Sequence, residues 1–294
     1  MYYEMQSIEN GRESLSPVDT AARADLHLHS YYSDGVHSPR IVVDKCHAKG
    51  ITTIALADHD HVGGIEEAAD YARGIGMEVV PAVELSSMLN GHEIHVLGYF
   101  IDTSSRVLRE HLEVFRDARL RRAEGIVKKL NILNVPLTME AVLKQTGSCA
   151  VGRPHIANAM VDEGLVGSYQ AAFARYLGSH APAYAEKYYL SPSAAIELIS
   201  SAGGLTFIAH PGKYATDEVV RELMGYGLDG IEVVHPSLSE AQTIAYRNLS
   251  SQYFLLESGG SDYHGGKKND DEQLGLFTVS SRIVEEMRKR LFER

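Results

Sequence analysis

The sequence is poor in cysteine. It has two, Cys46 and Cys149, in 294 residues, which is too few for a disulfide framework and shows no zinc-finger spacing. That usage fits a reducing compartment, and a cytoplasmic location is the expectation. No apolar run reaches the roughly 18 residues that a membrane-spanning helix needs, and there is no low-complexity tract or internal repeat. Cations are also in deficit, with 28 Lys and Arg against 39 Asp and Glu and a net charge of −11. Such a surface repels a phosphate backbone, so long nucleic acid bound through counterion release is not expected as a partner. A small anionic substrate stays admissible, because bound divalent cations reverse the local charge set by carboxylates. Residues Met1 to Thr20 are polar, carry Glu4, Glu9 and Glu13, and show neither an apolar signal core nor an Arg-rich amphipathic pattern. A frayed, cytoplasmic N-terminal segment over 1–22 is expected.

What is present is globular usage, 44% hydrophobic and 23% charged, at a length that suits one α/β barrel core with an insertion. From Ala24 to Phe100 the β-rich runs ADLHLHS, TTIALADHD, MEVVPAVELSS and EIHVLGYF alternate with helical patterns, which predicts a parallel sheet. Ser38 and Pro39 form an N-cap and first-turn pair, and Ala48-Lys49-Gly50 closes that helix. A second helix is expected near Gly64 to Gly74. From Asp102 to Gly204 the pattern is helical throughout. Leu108, Leu112, Phe115, Ile126 and Leu130 supply an apolar face, while Arg116, Arg119, Arg121 and Arg122 read as a solvated one. Strand-like runs return as GLTFIAHP, DGIEVVHP and FLLESGGSDYH, separated by helical patterns at Thr216 to Gly225 and Ser239 to Leu249. The expected division is a barrel over 23–101 and 205–294 and a helical insertion over 102–204 that lids the substrate site.

In a parallel barrel, functional side chains lie where strands end and loops begin. His27 and His29 close the first run, and their spacing of two puts both on one side of an extended chain. Asp58 and His59 close the second run and Glu84 the third. His95 lies in the fourth, His210 closes TFIAH, and Asp262 with His264 closes the last. One histidine near a strand end is ordinary surface or core filler. Ligand-type residues at strand end after strand end are not, because burying so many ionisable groups together costs several kcal/mol per uncompensated charge. Divalent metal compensates them. Nitrogen and oxygen ligands without thiolate suit Mn, Fe or Zn and do not choose among them.

The segments DLHLHSYYSDG, LADHD, VELSS, HVLGY, AHPGKY and GGSDYH resemble, in order from Asp25 to His264, the motifs of the PHP (polymerase and histidinol phosphatase) family. The chain is most similar to the stand-alone bacterial branch that includes the 3′,5′-nucleoside bisphosphate phosphatase, which carries a helical insertion with a GRPH-like segment. The resemblance implies an α/β fold, a distorted (β/α)7 TIM-like barrel holding two to three metal ions. By motif, His27, His29, Glu84 and Asp262 would hold one ion. Glu84 would bridge to a second held by His95 and His210, and Asp34, His59 and His264 would hold a third. Without the resemblance Asp34 reads equally as a turn or cap residue. His37 departs from the family pattern. His47 and His111 read as solvated, His92 faces away from His95 in a regular strand, and His61 and His235 stay undecided.

A phosphate also needs protein cations, and an Arg fork matches its oxygens. Arg153 and His155 of GRPH are the first choice for substrate contact, against a capping role for both. Lys213 of AHPGKY is the second and Lys187 a weaker third. The expected activity is hydrolysis of phosphate esters of small molecules, foremost a nucleotide such as a 3′,5′-bisphosphate. Glu84 and Asp262 would serve at the catalytic centre and His155 as a proton donor. An amidohydrolase, a cyclic phosphodiesterase on a sugar phosphate, a histidinol phosphatase and a non-catalytic PHP module are the alternatives. Neither membrane nor long nucleic acid is expected as a partner.

Overall fold

The structure, a computed structural model, describes residues 22–146, 150–212, 214–266 and 270–292. In chain order the elements are β1 (Arg23–Leu28), α1 (Pro39–Ala48), β2 (Thr53–Leu56), α2 (Ile65–Gly74), β3 (Glu78–Leu89) and β4 (His92–Tyr99). The helices α3 (Arg106–Ile132), α4 (Met139–Lys144), α5 (Arg153–Asp162), α6 (Tyr169–Ala172, continued by a π-turn over Phe173–Leu177) and α7 (Pro192–Ser201) follow. The chain then forms β5 (Leu205–Ile208), α8 (Asp217–Tyr226), β6 (Gly230–Val234), α9 (Glu240–Tyr253), β7 (Leu256–Gly259), β8 (Val279–Ser280) and α10 (Ser281–Phe292). The strands form one sheet in the order β7-β6-β5-β4-β3-β2-β1-β8. A parallel bridge from Leu28 to Tyr263 and the His29 N–H donating to the Tyr263 carbonyl (2.9 Å) bring its two ends together. The result is a nearly closed, distorted TIM-like barrel. Gly260 makes that closure feasible, since a Cβ there would lie 2.4 Å from the His27 nitrogen.

Besides the short β8, which pairs antiparallel with β1, the expected parallel order fails at β4. β4 runs antiparallel to both β3 and β5, while β1 to β3 and β5 to β7 are parallel. The reason lies in two residues. Asn90 (φ 50°) and Gly91 (φ 79°) are the whole connection between β3 and β4, and Asn-Gly with both φ values positive is the tight hairpin turn whose twist matches paired strands. A parallel return would need a crossover of about a dozen residues or more. The expected helices form. The Ser38 side chain accepts from the Ile41 N–H, Pro39 opens α1 and Lys49 closes it, and α8 and α9 start at the caps Thr216 and Ser239.

Period-2 alternation sets the site. In β3, Val83 and Leu85 join an apolar cluster with Val96, Ile208 and residues of α7, whereas Ala82 packs with Leu97, Tyr99 and Phe207 on the other face. Glu84 follows Ala82 on that inner face, as His95 precedes Leu97. The 27-residue α3, about 40 Å long, spans two cores. Its Leu108, Leu112 and Phe115 belong to the barrel-side cluster, and its Ala123, Ile126, Val127 and Leu130 belong to a second cluster that continues through α4 and α5 to Ala183. Among the described residues no helix is long and apolar enough to cross a membrane.

Candidate metal centre

Glu84, fully buried, is the hub. Its Oε2 lies 3.3 Å from His27 Nε2, 3.4 Å from His29 Nε2 and 3.0 Å from His59 Nδ1. Its Oε1 lies 2.8 Å from His95 Nδ1 and 3.0 Å from His210 Nε2. Asp262 Oδ1 sits 3.0 Å from His29 Nε2 and 3.5 Å from His27 Nε2, and Asp34 Oδ1 sits 3.2 Å from His264 Nε2. All nine residues of the expected ligand set therefore meet in one cluster, built from β1 and the loop after it, the segments after β2, β5 and β7, and the middles of β3 and β4, so Glu84 does not close its strand as expected. Ligand atoms within 4.8 Å of one another form the groups His29, Asp34, His59, His264; His27, His29, Asp262; His27, Glu84, His210; and His59, Glu84, His95. The partition differs in detail from the one the resemblance implies. His29 also reaches the Asp34 group, and His59 also reaches Glu84 and His95.

The donor set fits metal ions on physical grounds. His27 Nε2, His29 Nε2, His59 Nδ1 and Glu84 Oε2 are buried without a hydrogen-bond partner, an arrangement that costs free energy at each atom unless something else occupies the space between them. Charge points the same way. Burial works against the Glu84 carboxylate, yet the imidazoles of His59, His95 and His27 outweigh it and hold its pKa well below the usual value. Asp34 and Asp262 are likewise held well below theirs, by histidines that overcome burial. His95 is pushed up to about 9, the Glu84 carboxylate overcoming burial. His29 is pushed down to about 3, by burial first and by His264 next. Two of the set have left-handed backbone, His210 at φ 26° and Asp262 at φ 51°, a conformation unfavourable to side chains with a Cβ.

The PHP domain profile matches residues 25–202, more than half of the chain. The chain belongs to the PHP domain family. A 5′-3′ exoribonuclease of Haemophilus influenzae is 34% identical over 82% of this chain and 89% of its own length. A 3′,5′-nucleoside bisphosphate phosphatase of Chromobacterium violaceum is 31% identical over 83% of this chain and 87% of its own. A solved structure from Bifidobacterium adolescentis, described as a metal-dependent phosphoesterase, superposes with a TM-score of 0.82 at 31% identity, covering 91% of this chain and 96% of that one. This PHP protein is thus a metal-dependent phosphoesterase, and its His, Asp and Glu clusters are able to bind the metal.

Glu232 and Asp60 of the PHP site were not singled out from sequence, while Asp58, read there beside His59 at the end of the second run, stands outside the ligand groups. Glu232, fully buried in β6, accepts from His27 Nδ1 (2.8 Å) and from the His210 N–H (2.5 Å). Its signal was a lone carboxylate in the apolar run GIEVV. Asp58, adjacent to His59, accepts from the Ser30 N–H and from both the Ser30 and Ser33 hydroxyls, so it shapes the loop that carries Asp34. Asp60 is buried, accepts from the Ser86 N–H, and pairs with Arg119 Nη2 at 2.7 Å. The expectation that Arg119 belongs to a solvated helix face is corrected, because its side chain is only 20% exposed and ties α3 to the loop after β2. Replacing Arg119 with Ala takes the paired cation from a buried carboxylate that keeps only its Ser86 hydrogen bonds and should cost about 3 kcal/mol of stability, as breaking buried pairs does. Thermal unfolding checks this, and an unchanged midpoint would contradict it. Burial opposes the Asp60 charge, but Arg119 and Lys187 hold its pKa below normal. The loss should therefore be full at neutral pH and fade as acid protonates the carboxylate.

Of the substrate residues expected for this PHP protein, Arg153 and His155 line a pocket of about 200 Å³ with Asp34, His59, His95, Arg119, Arg122 and Lys187. Arg153 donates to the Leu177 carbonyl and packs over Phe173 and Tyr184. His155 Nδ1 accepts from the Gly152 N–H at 3.0 Å, so the capping role foreseen as the alternative is real as well. Lys187 pairs with Glu93 at 2.6 Å. Arg122 has its pKa lowered, by burial first and by the neighbouring Arg153 next. Lys213 and Cys149 lie outside the described residues. His92 is exposed and stacks on Tyr214, away from the cluster, as expected.

Proposed function

We propose that this phosphoesterase hydrolyses a terminal phosphate of a small nucleotide, foremost a 3′,5′-bisphosphate, with His27, His29, Asp34, His59, Glu84, His95, His210, Asp262 and His264 as the ligands of two to three ions of Mn, Fe or Zn. The observation that carries the reading is the pocket in which Arg122, Arg153, His155 and Lys187 face His59, His95 and Asp34. Cations arranged beside the ligand cluster give a second anionic group somewhere to bind while the first meets the metals. When bound, the ions supply Lewis acidity at the phosphoryl oxygens and an ionised water. The protein's own part is positional. Arg153, fixed by its carbonyl and two rings, holds the remote phosphate, and binding there orients the reacting group. His155, with Nδ1 taken by a backbone N–H, carries its proton on Nε2 and offers it to the leaving oxygen. Residues 102–204 act as the lid that supplies these groups and excludes water.

A second reading draws on the relative named as an exoribonuclease, in which the same groups would receive the 5′ end of an RNA. We favour the small substrate because of the net charge of −11. A kinetic screen of nucleoside bisphosphates, cyclic phosphates, histidinol phosphate and short oligonucleotides with Mn-loaded enzyme tests it. The bisphosphate should lead in kcat/KM, and oligonucleotides exceeding every small phosphate would overturn the reading. Arg153→Ala should lower kcat/KM for the best small substrate about 10- to 100-fold, the size of a lost charge-assisted hydrogen bond. No change would remove Arg153 from the site.

A further inference from the structure

The end of β6 supplies none of the nine ligands proposed above, yet it places two ionisable side chains against them. One is Glu232. The other is His235, 6% exposed, whose ring lies 6.0 Å from that of His27 and 5.2 Å from that of His210. By distance alone His27, Glu232 and His235 form a further group able to hold a metal ion. Hydrogen bonding separates the two histidines. Glu232 Oε1 sits 2.8 Å from His27 Nδ1, and a carboxylate only accepts, so Nδ1 of His27 carries the proton and its Nε2 keeps a lone pair for a metal. His235 is the reverse. The backbone N–H of Ser237 donates to its Nδ1 at 3.0 Å, and the Ser237 hydroxyl lies 2.8 Å from the same atom. A nitrogen that accepts from an amide has no proton, so in neutral His235 the proton is on Nε2. That Nε2 is buried without a hydrogen-bond partner of its own and lies 3.5 Å from Asp262 Oδ2. The other oxygen, Oδ1, faces His29 at 3.0 Å.

From this geometry we infer that His235 is a positioning residue and not a ligand: its Nε2–H is aimed at Asp262 Oδ2, so that Oδ1 alone is presented to the metal. The inference rests on the assignment of Asp262 as a ligand. A carboxylate held by one oxygen keeps a single direction at the metal, and outer partners of this kind commonly contribute about 10- to 100-fold in affinity.

The test reads metal and protons apart from turnover. Long-range ¹⁵N NMR of the zinc-loaded, histidine-labelled protein should show His235 protonated at Nε2 and bare at Nδ1. A metal-bound, unprotonated Nε2 would overturn the proposal and make His235 a ligand. Chelator competition on His235→Ala should show one site weakened about 10- to 100-fold, with the same number of ions bound at saturation. His235→Gln, whose amide N–H₂ can donate at the position of Nε2, should recover most of that affinity. A His235→Ala protein with unchanged affinities, or a Gln variant as weak as Ala, overturns the positioning role. If His235→Ala does not fold, the NMR tautomer and the Gln variant still decide. Failure of Asp262→Asn to lose affinity for any ion would instead remove the ligand assignment on which the inference stands.

Discussion

Glu84→Gln should be close to inactive, losing at least about 100-fold in kcat/KM even with excess metal, since loss of mere outer partners already reaches that size. The substitution keeps shape and removes charge. Both carboxylate oxygens of Glu84 face imidazoles, Oε2 those of His27, His29 and His59 and Oε1 those of His95 and His210, so if it holds the ions as proposed, no other side chain in the cluster can take over its place. An amide offers one weaker oxygen and turns an N–H₂ toward the metals, which repels them. Metal content by elemental analysis should fall along with activity, while far-ultraviolet circular dichroism stays that of the parent. Activity within about tenfold of the parent at saturating metal would remove Glu84 from the role of hub.

Stripping the metal should have the second largest effect, and the effect should depend on pH. A chelated sample should lose hydrolysis and melt earlier, since a ligand that binds only the folded state contributes about 2.7 kcal/mol at a hundred times its dissociation constant. Without metal, Glu84 overcomes burial to raise His95 to about 9. A raised imidazole is a group whose contribution to the metal-free fold is complete below its unfolded pKa of about 6.5 and is lost as pH climbs through the folded value. A metal must displace that proton to use the nitrogen. Raising pH from about 6 to about 8 should therefore tighten metal binding while it weakens the stripped protein. Calorimetric titration and thermal melts at matched pH check both, and metal affinity flat across that range would refute the account.

Much of the fold and the cluster can be read from the sequence because each rests on local chemistry. Caps such as Ser38 with Pro39 are written in adjacent residues, and a histidine pair two apart, His27 and His29, needs only strand alternation to share a face. The direction of β4 was equally local, in Asn90-Gly91, and it was missed because a run of alternating strands and helices favoured parallel pairing. Other features are not local. Arg119 meets Asp60 across 59 positions and Glu232 meets His27 across 205. No pattern in α3 tells an arginine that reaches a buried carboxylate from one that faces water. The tautomer of His235 depends on where the Ser237 amide points, which is a matter of a loop's shape rather than of composition.

The left-handed backbone at His210 and Asp262 bears on how far this chain can be hardened. Each such residue gives up about 1 kcal/mol or more that glycine, or asparagine in part, would recover. A search for heat-resistant variants, run without any demand for activity, should thus reach these two positions early, and every gain there would delete a side chain proposed above as a metal ligand. The same search run under selection for turnover should pass them by and collect its changes elsewhere. Comparing the two sets of survivors would map where durability and catalysis compete for the same peptide units in this barrel.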